Sequence, residues 1–204
     1  MIFLRILKIT PAFSRSYRMT TAVCAFLLFF SVVMGYVAWQ EDPSLAQQAV
    51  EQVMKTKFSP LTAKMQATNW LGQIRIILVN NLVATMLLVF TGGILPILPV
   101  FLGIIPNGTM IGLMAGYFEY QQKLAKSIFF LGLIPHGIFE IPAILLSATV
   151  GIIWGMRNWR NLLLERTLPS FFEQTKESLS FFPLIITLLV LASIIEVLLT
   201  PVFF

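Results

Sequence analysis

Three ionisable side chains stand inside long apolar stretches of this sequence: His136, Glu140 and Glu196. An ionisable group in a bilayer costs several kcal/mol, so each is a functional suspect by default. His136, Glu140, Ala143 and Ser147 fall at i, i+4, i+7 and i+11, which puts them on one face of a helix. At that spacing His136 and Glu140 can touch and share a proton or a hydrogen bond. Ser193, Glu196 and Thr200 form a comparable stripe further on, and Asn81, Thr85 and Gly92 form another earlier. Asn80, Asn81 and Asn107 add uncharged polarity. Two kinds of role fit such groups: hydrogen-bonded glue between helices, worth about 1 kcal/mol each, or a proton-linked or transport site.

Material for catalysis is sparse. One histidine rules out H-E-x-x-H and any two-histidine metal site, and the 136–140 string offers two ligands at most. The only aspartate, Asp42, lies outside the apolar stretches, an unsuitable place for a Ser-His-Asp arrangement. G-x-S-x-G, Walker A and G-x-G-x-x-G motifs are all missing. The expectation is a protein that is not an enzyme and has no metal or cofactor. An intramembrane acid–base site on His136 and Glu140 is the sharpest enzymatic alternative, and it lacks a neighbouring nucleophile. The lone cysteine, Cys24, excludes an intramolecular disulfide and a cysteine-based metal site. It reads as a small lipid- or core-facing residue.

The elements that must position these groups are set by composition. Of 204 residues, 57% are hydrophobic and 11% charged, with a mean hydropathy of +0.86. A soluble domain carries about 25% charged residues. A spanning helix needs about 20 mostly apolar residues, and five stretches qualify, near 19–39, 74–95, 97–118, 127–155 and 181–201. The first is too long for a signal-peptide core and lacks a small-residue cleavage site, so it reads as a retained span. Residues 1–18 read as a cytoplasmic interfacial segment with a short helix stopped by Pro11, and 19–204 as a single transmembrane helical domain. Gly92-Gly93 followed by Pro96 and Pro99 predicts a tight turn, with one bent re-entrant segment as the alternative. Residues 40–73 read as a partly helical polar excursion and 156–180 as an amphipathic surface segment. Gly108, Gly112 and Gly116 form a small-xxx-small ridge on which another helix can pack closely. The fold class is all-α, a polytopic bundle of about five spans with short interfacial helices.

Orientation follows from the positive-inside rule. A cytoplasmic N-terminus places Arg5, Lys8, Arg15 and Arg18 inside, together with Arg157, Arg160, Arg166 and Lys176. Lys55, Lys57, Lys64, Arg75, Lys123 and Lys126 then lie outside, and five spans leave the C-terminus outside. At ~1.5 Å per residue, Asn80 and Asn81 lie about 10 Å in from the outer surface and His136 about 13 Å. Glu196 falls near the outer end of its span, so the polar groups can converge in the outer half. The net charge of +5 is spread over short juxtamembrane clusters without a nucleic-acid motif. Anionic lipid head groups, not nucleic acid, are the fitting partners.

The sequence resembles the stage II sporulation protein M family over roughly residues 20–204. The resemblance is carried by Asn80-Asn81, Gly92-Gly93, Asn107-Gly108 with Gly112, Ile195-Glu196 and Thr200-Pro201. Its most specific part is the string Leu133-Ile134-Pro135-His136-Gly137-Ile138-Phe139-Glu140-Ile141-Pro142-Ala143. It implies a small multi-pass cell-membrane protein that is a scaffold and not itself a hydrolase. Its sporulating members anchor peptidoglycan-degrading proteins at the septal membrane during engulfment. By the same resemblance His136, Glu140, Pro142, Asn80, Asn107 and Glu196 mark the shared centre. The expected partners are the lipid bilayer and other membrane or envelope proteins, with self-association into a homo-oligomer also compatible. The alternative function is a transporter, channel component or lipid-handling protein that uses the buried His/Glu cluster.

Overall fold

The structure, a computed structural model, describes residues 11–122, 126–163 and 171–199, with the side chains of residues 11–14, 126 and 128 left aside. The described residues are almost wholly helical. Helix α1 spans Pro11–Glu41. Pro11 is therefore the first residue of a helix among the described residues. Its fixed φ and missing N–H suit the first helical position. The boundary drawn at residue 18 falls inside this continuous helix, and residues 1–10 of the expected interfacial segment lie outside the described residues.

The excursion that follows is more helical than its sequence implies. Helix α2 covers Pro43–Val53 and α3 covers Ser59–Gln66, joined by a widened π-helical turn over Met54–Phe58. Asp42 caps α2 by accepting from the Ser44 and Leu45 backbone N–H groups at 3.1 and 3.0 Å, with Pro43 at the start of the helix. Asn69 caps α4, Trp70–Ile94, through the Gly72 N–H at 3.0 Å. The chain then reverses in a tight turn closed by Leu98 N–H to Leu95 O and Val100 N–H to Ile97 O.

A π-helical turn at Val100–Ile104 leads into α5, Ile105–Gly116, which ends in another at Tyr117–Gln121. Helix α6 runs unbroken over Lys126–Leu163, so residues 156–163 continue this helix and do not start a separate one. Residues 164–170, with Arg166, lie outside the described residues. The amphipathic remainder is α7, Phe171–Leu179, which turns directly into α8, Phe182–Leu198. Arg157 at the end of α6 pairs with Glu177 on α7 at 2.7 Å.

Among the described residues, five helical stretches are long and apolar enough to cross a membrane: Arg15–Glu41, Trp70–Ile94, Val100–Gln121, Phe129–Leu163 and Phe171–Leu198. They include two tight helix pairs, α1 with α5 and α4 with α6. Gly108, Gly112 and Gly116 of α5 lie directly on α1, against Leu28 and Ser31, Val32 and Tyr36, and the Trp39 indole. The glycine ridge thus has a partner, and α1 answers with a glycine of its own, Gly35, set against the Thr109 carbonyl. The second pair is α4 with α6, where Gly92 meets Gly151, and Gly155 meets the Gly92 carbonyl. Without side chains between them the backbones approach closely, which is how helices gain dispersion contacts in lipid. Side-chain hydrogen bonds add to the seams. Trp39 Nε1 donates to Leu113 O at 2.9 Å, Tyr36 to Glu119 at 2.6 Å, and Thr21 pairs with Thr149 at 3.0 Å. Cys24 is buried with Leu28, Leu88, Ile104, Ile144 and Ala148 at the junction of α1, α4 and α6. Phe26, Phe29, Ile94 and Ile138 face outward from the bundle.

Candidate functional site

Helices α6 and α8 lie side by side in opposite directions. Ala143 on α6 is fully buried against Ile185 and Leu189 on α8, with Leu78 and Leu82 of α4 closing the cluster. Ala143 and Ser147 belong to the polar face that begins at His136, and both have no exposed surface. That face therefore points at α8. One helical turn before Ala143 along α6 comes Glu140, and the antiparallel neighbour reaches the same level near its own C-terminal end with Glu196. A ring nitrogen of His136 and one carboxylate oxygen each of Glu140 and Glu196 all lie within 4.8 Å of one another, and all three residues are half-buried.

The local sequence explains the placement. Pro135 and Pro142 sit inside α6 on either side of the pair. Each lacks an N–H, so the carbonyls of Leu131 and Ile138 lose their usual helical donors. The polar segment 136–140 is thus bracketed by two weakened turns of an otherwise regular helix. His136 also uses a ring N–H to hold the Gly132 carbonyl, which orients the imidazole.

The electrostatics of the cluster are demanding. At 4.8 Å and an effective dielectric of ~20, two ionised carboxylates repel by about 3.5 kcal/mol. A proton shared between them, or a cation held among the three groups, removes that penalty. The arrangement can therefore hold a proton or a cation between α6 and α8.

The asparagines are placed differently. Asn107 is exposed, and its amide donates to the Gly103 carbonyl of its own helix at 2.8 Å. It does so beside a widened turn, where Pro106 brings no backbone donor. Asn80 is exposed and donates to Asn81 at 3.3 Å. Asn81 is half-buried on α4 and, on the register set by Gly92 against Gly151, comes level with Glu140. Thr200, expected on the Glu196 stripe, lies outside the described residues. Sequence reasoning counted two ligands at most in the 136–140 string and missed that Glu196 completes a third. The depth estimate that put His136 and Glu196 in one half of the bundle was the available signal. It also missed Gly35, Gly151 and Gly155, whose importance depends on which helix lies opposite.

These features define a polytopic α-helical membrane protein with an imidazole–carboxylate cluster between two of its spans. A family model described as stage II sporulation protein M matches residues 24–201. The chain belongs to the stage II sporulation protein M family. A protein of Methanocaldococcus jannaschii, described as uncharacterised, is 36% identical over 125 residues, which is 61% of this chain and 69% of that protein. No solved structure matches.

Proposed function

We propose that the protein is a non-enzymatic, multi-pass scaffold of the cell membrane that anchors a membrane or cell-envelope remodelling complex. The observation that carries this reading is the helical platform formed by α2 and α3 outside the spans. Ala46 and Val50 of α2 are buried with Trp39 and Leu113 at the ends of α1 and α5, so the platform is rigidly seated. The platform also exposes Leu45, Met54 and Phe58, apolar side chains among polar neighbours that a bound protein could cover. Family membership supports the same reading, because its sporulating members anchor peptidoglycan hydrolases. On the positive-inside orientation this platform lies outside the cell with the C-terminus, where envelope enzymes work, and the N-terminus is cytoplasmic. Cross-linking in native membranes, followed by purification of the full chain, tests the proposal. A stoichiometric envelope or membrane partner is expected, lost in Leu45→Glu and Met54→Glu with unchanged melting. Recovery of no protein partner would refute it.

A second reading, transport or lipid handling, draws on one observation: a half-buried His136–Glu140–Glu196 cluster between two spans. Reconstituted liposomes decide it. Ion flux or lipid flip-flop that falls at least tenfold in Glu140→Gln favours it, and flux indistinguishable from empty liposomes removes it.

A further inference from the structure

We infer that His136, Glu140 and Glu196 form a binding site for one divalent transition-metal cation of the Zn²⁺ class, pinning α6 to α8. The inference does not rest on the scaffold reading. Its first support is geometric. One nitrogen and two oxygen donors from two helices already lie within 4.8 Å of one another. Ligands at ~2.0–2.1 Å around tetrahedral zinc stand about 3.3 Å apart, so side-chain rotation alone closes the set. The i, i+4 pair on α6 supplies two ligands from successive turns of one face, a spacing that suits chelation, and α8 supplies the third.

The second support is the setting of the histidine. Metal-bound imidazoles ordinarily donate their other N–H to a carbonyl or carboxylate, which fixes the tautomer and raises ligand basicity. His136 makes that contact to the Gly132 carbonyl. The third support is charge. Two carboxylates, a neutral imidazole and a divalent cation sum to zero, so the assembled site is neutral within a bilayer that penalises net charge. A cation would sit between both carboxylates, which already lie within reach of one another and of the imidazole. The donor set of one nitrogen and two oxygens fits Zn²⁺ and Mn²⁺ better than thiophilic metals.

Because the chain has a single histidine, a tag-free preparation gives an unambiguous test. Full-length protein in detergent is incubated with Zn²⁺ or Mn²⁺, passed over a desalting column and analysed by plasma mass spectrometry. About one metal equivalent is expected for the wild type. Glu140→Gln and Glu196→Gln, close in shape to the native residues, should each retain less than a tenth of that, while Glu51→Gln on the exposed face of α2 retains it all. Should the variants aggregate, X-ray absorption on zinc-loaded wild type replaces them, and one imidazole in an otherwise oxygen shell is expected. Wild-type protein that holds no more metal than the Glu140→Gln variant, or a zinc shell without imidazole, overturns the proposal and leaves a shared proton as the occupant.

Discussion

Replacing Gly112 by alanine tests the packing logic most directly. A Cβ at this position would strike the Val32 carbonyl and stand 2.7 Å from Tyr36 N and 3.0 Å from Gly35 C. All three are backbone atoms of α1, so no side chain can swing aside. An ordinary contact begins at 3.4 Å, and Tyr36 N alone demands a retreat of at least 0.7 Å. Overpacking of this kind costs about 1–3 kcal/mol. The displacement also strains the Trp39–Leu113 and Tyr36–Glu119 hydrogen bonds on the same seam, each worth about 1 kcal/mol. The expected loss is therefore about 2–4 kcal/mol, measured by SDS-titrated unfolding in mixed micelles with helicity and tryptophan fluorescence as readouts. Gly137→Ala is the control. Its Cβ would meet only Ile141 Cδ1 at 3.7 Å and Leu133 Cγ at 3.8 Å, both ordinary contacts. Relief of glycine's chain entropy then predicts a gain of about 0.5–1 kcal/mol. Equal losses at the two positions, or a Gly112→Ala protein within 0.5 kcal/mol of wild type by the same ~1 kcal/mol standard for a typical mutation, would refute the reasoning.

Asp42 gives a pH prediction. The Leu45 backbone N–H, then the Ser44 hydroxyl and backbone N–H, hold its carboxyl below the ordinary value of 3.8. Its stabilisation of α2 is thus fully present above that value and is lost as pH falls through the lowered one. Asp42→Asn keeps the cap but removes this step, and melting curves of the two proteins that track each other through acid would count against the assignment. The Arg157–Glu177 pair, about a third exposed on both sides, should show a coupling of about 0.5–1 kcal/mol in a double-mutant cycle and shrink in high salt. For orientation, a cysteine replacing Gln52 should react with an impermeant maleimide in intact cells, and one replacing Arg160 only after permeabilisation. The reverse pattern inverts the topology. Native Cys24, 1% exposed, should stay unlabelled under both conditions.

The sequence alone determined that the chain is a helical membrane protein, because apolar length and missing charge leave few other ways to satisfy the backbone. It also determined which residues share a helical face, since the 3.6-residue period is local. The string from Leu133 to Ala143 carried the family. Helix ends were less legible. Pro11 starts α1, and α6 continues through the charged residues 156–163, because polar side chains at a membrane surface do not end a helix whose backbone bonds remain available. Tertiary structure decided what lies across from each face. A span apolar on every side has little amphipathic signal to mark its inward face, so nothing local says that Gly112 faces α1 or that Gly151 faces Gly92. Nor does anything local say that Glu140 meets Glu196, which the antiparallel packing of α6 on α8 brings from a distant part of the chain. The same packing leaves Asn107 bonded to its own helix. Composition and period fix what a helix is, whereas packing sets the register between helices: close backbone approach at glycines for α1 on α5 and α4 on α6, and Ala143 against Ile185 and Leu189 for the α6–α8 contact that assembles the cluster.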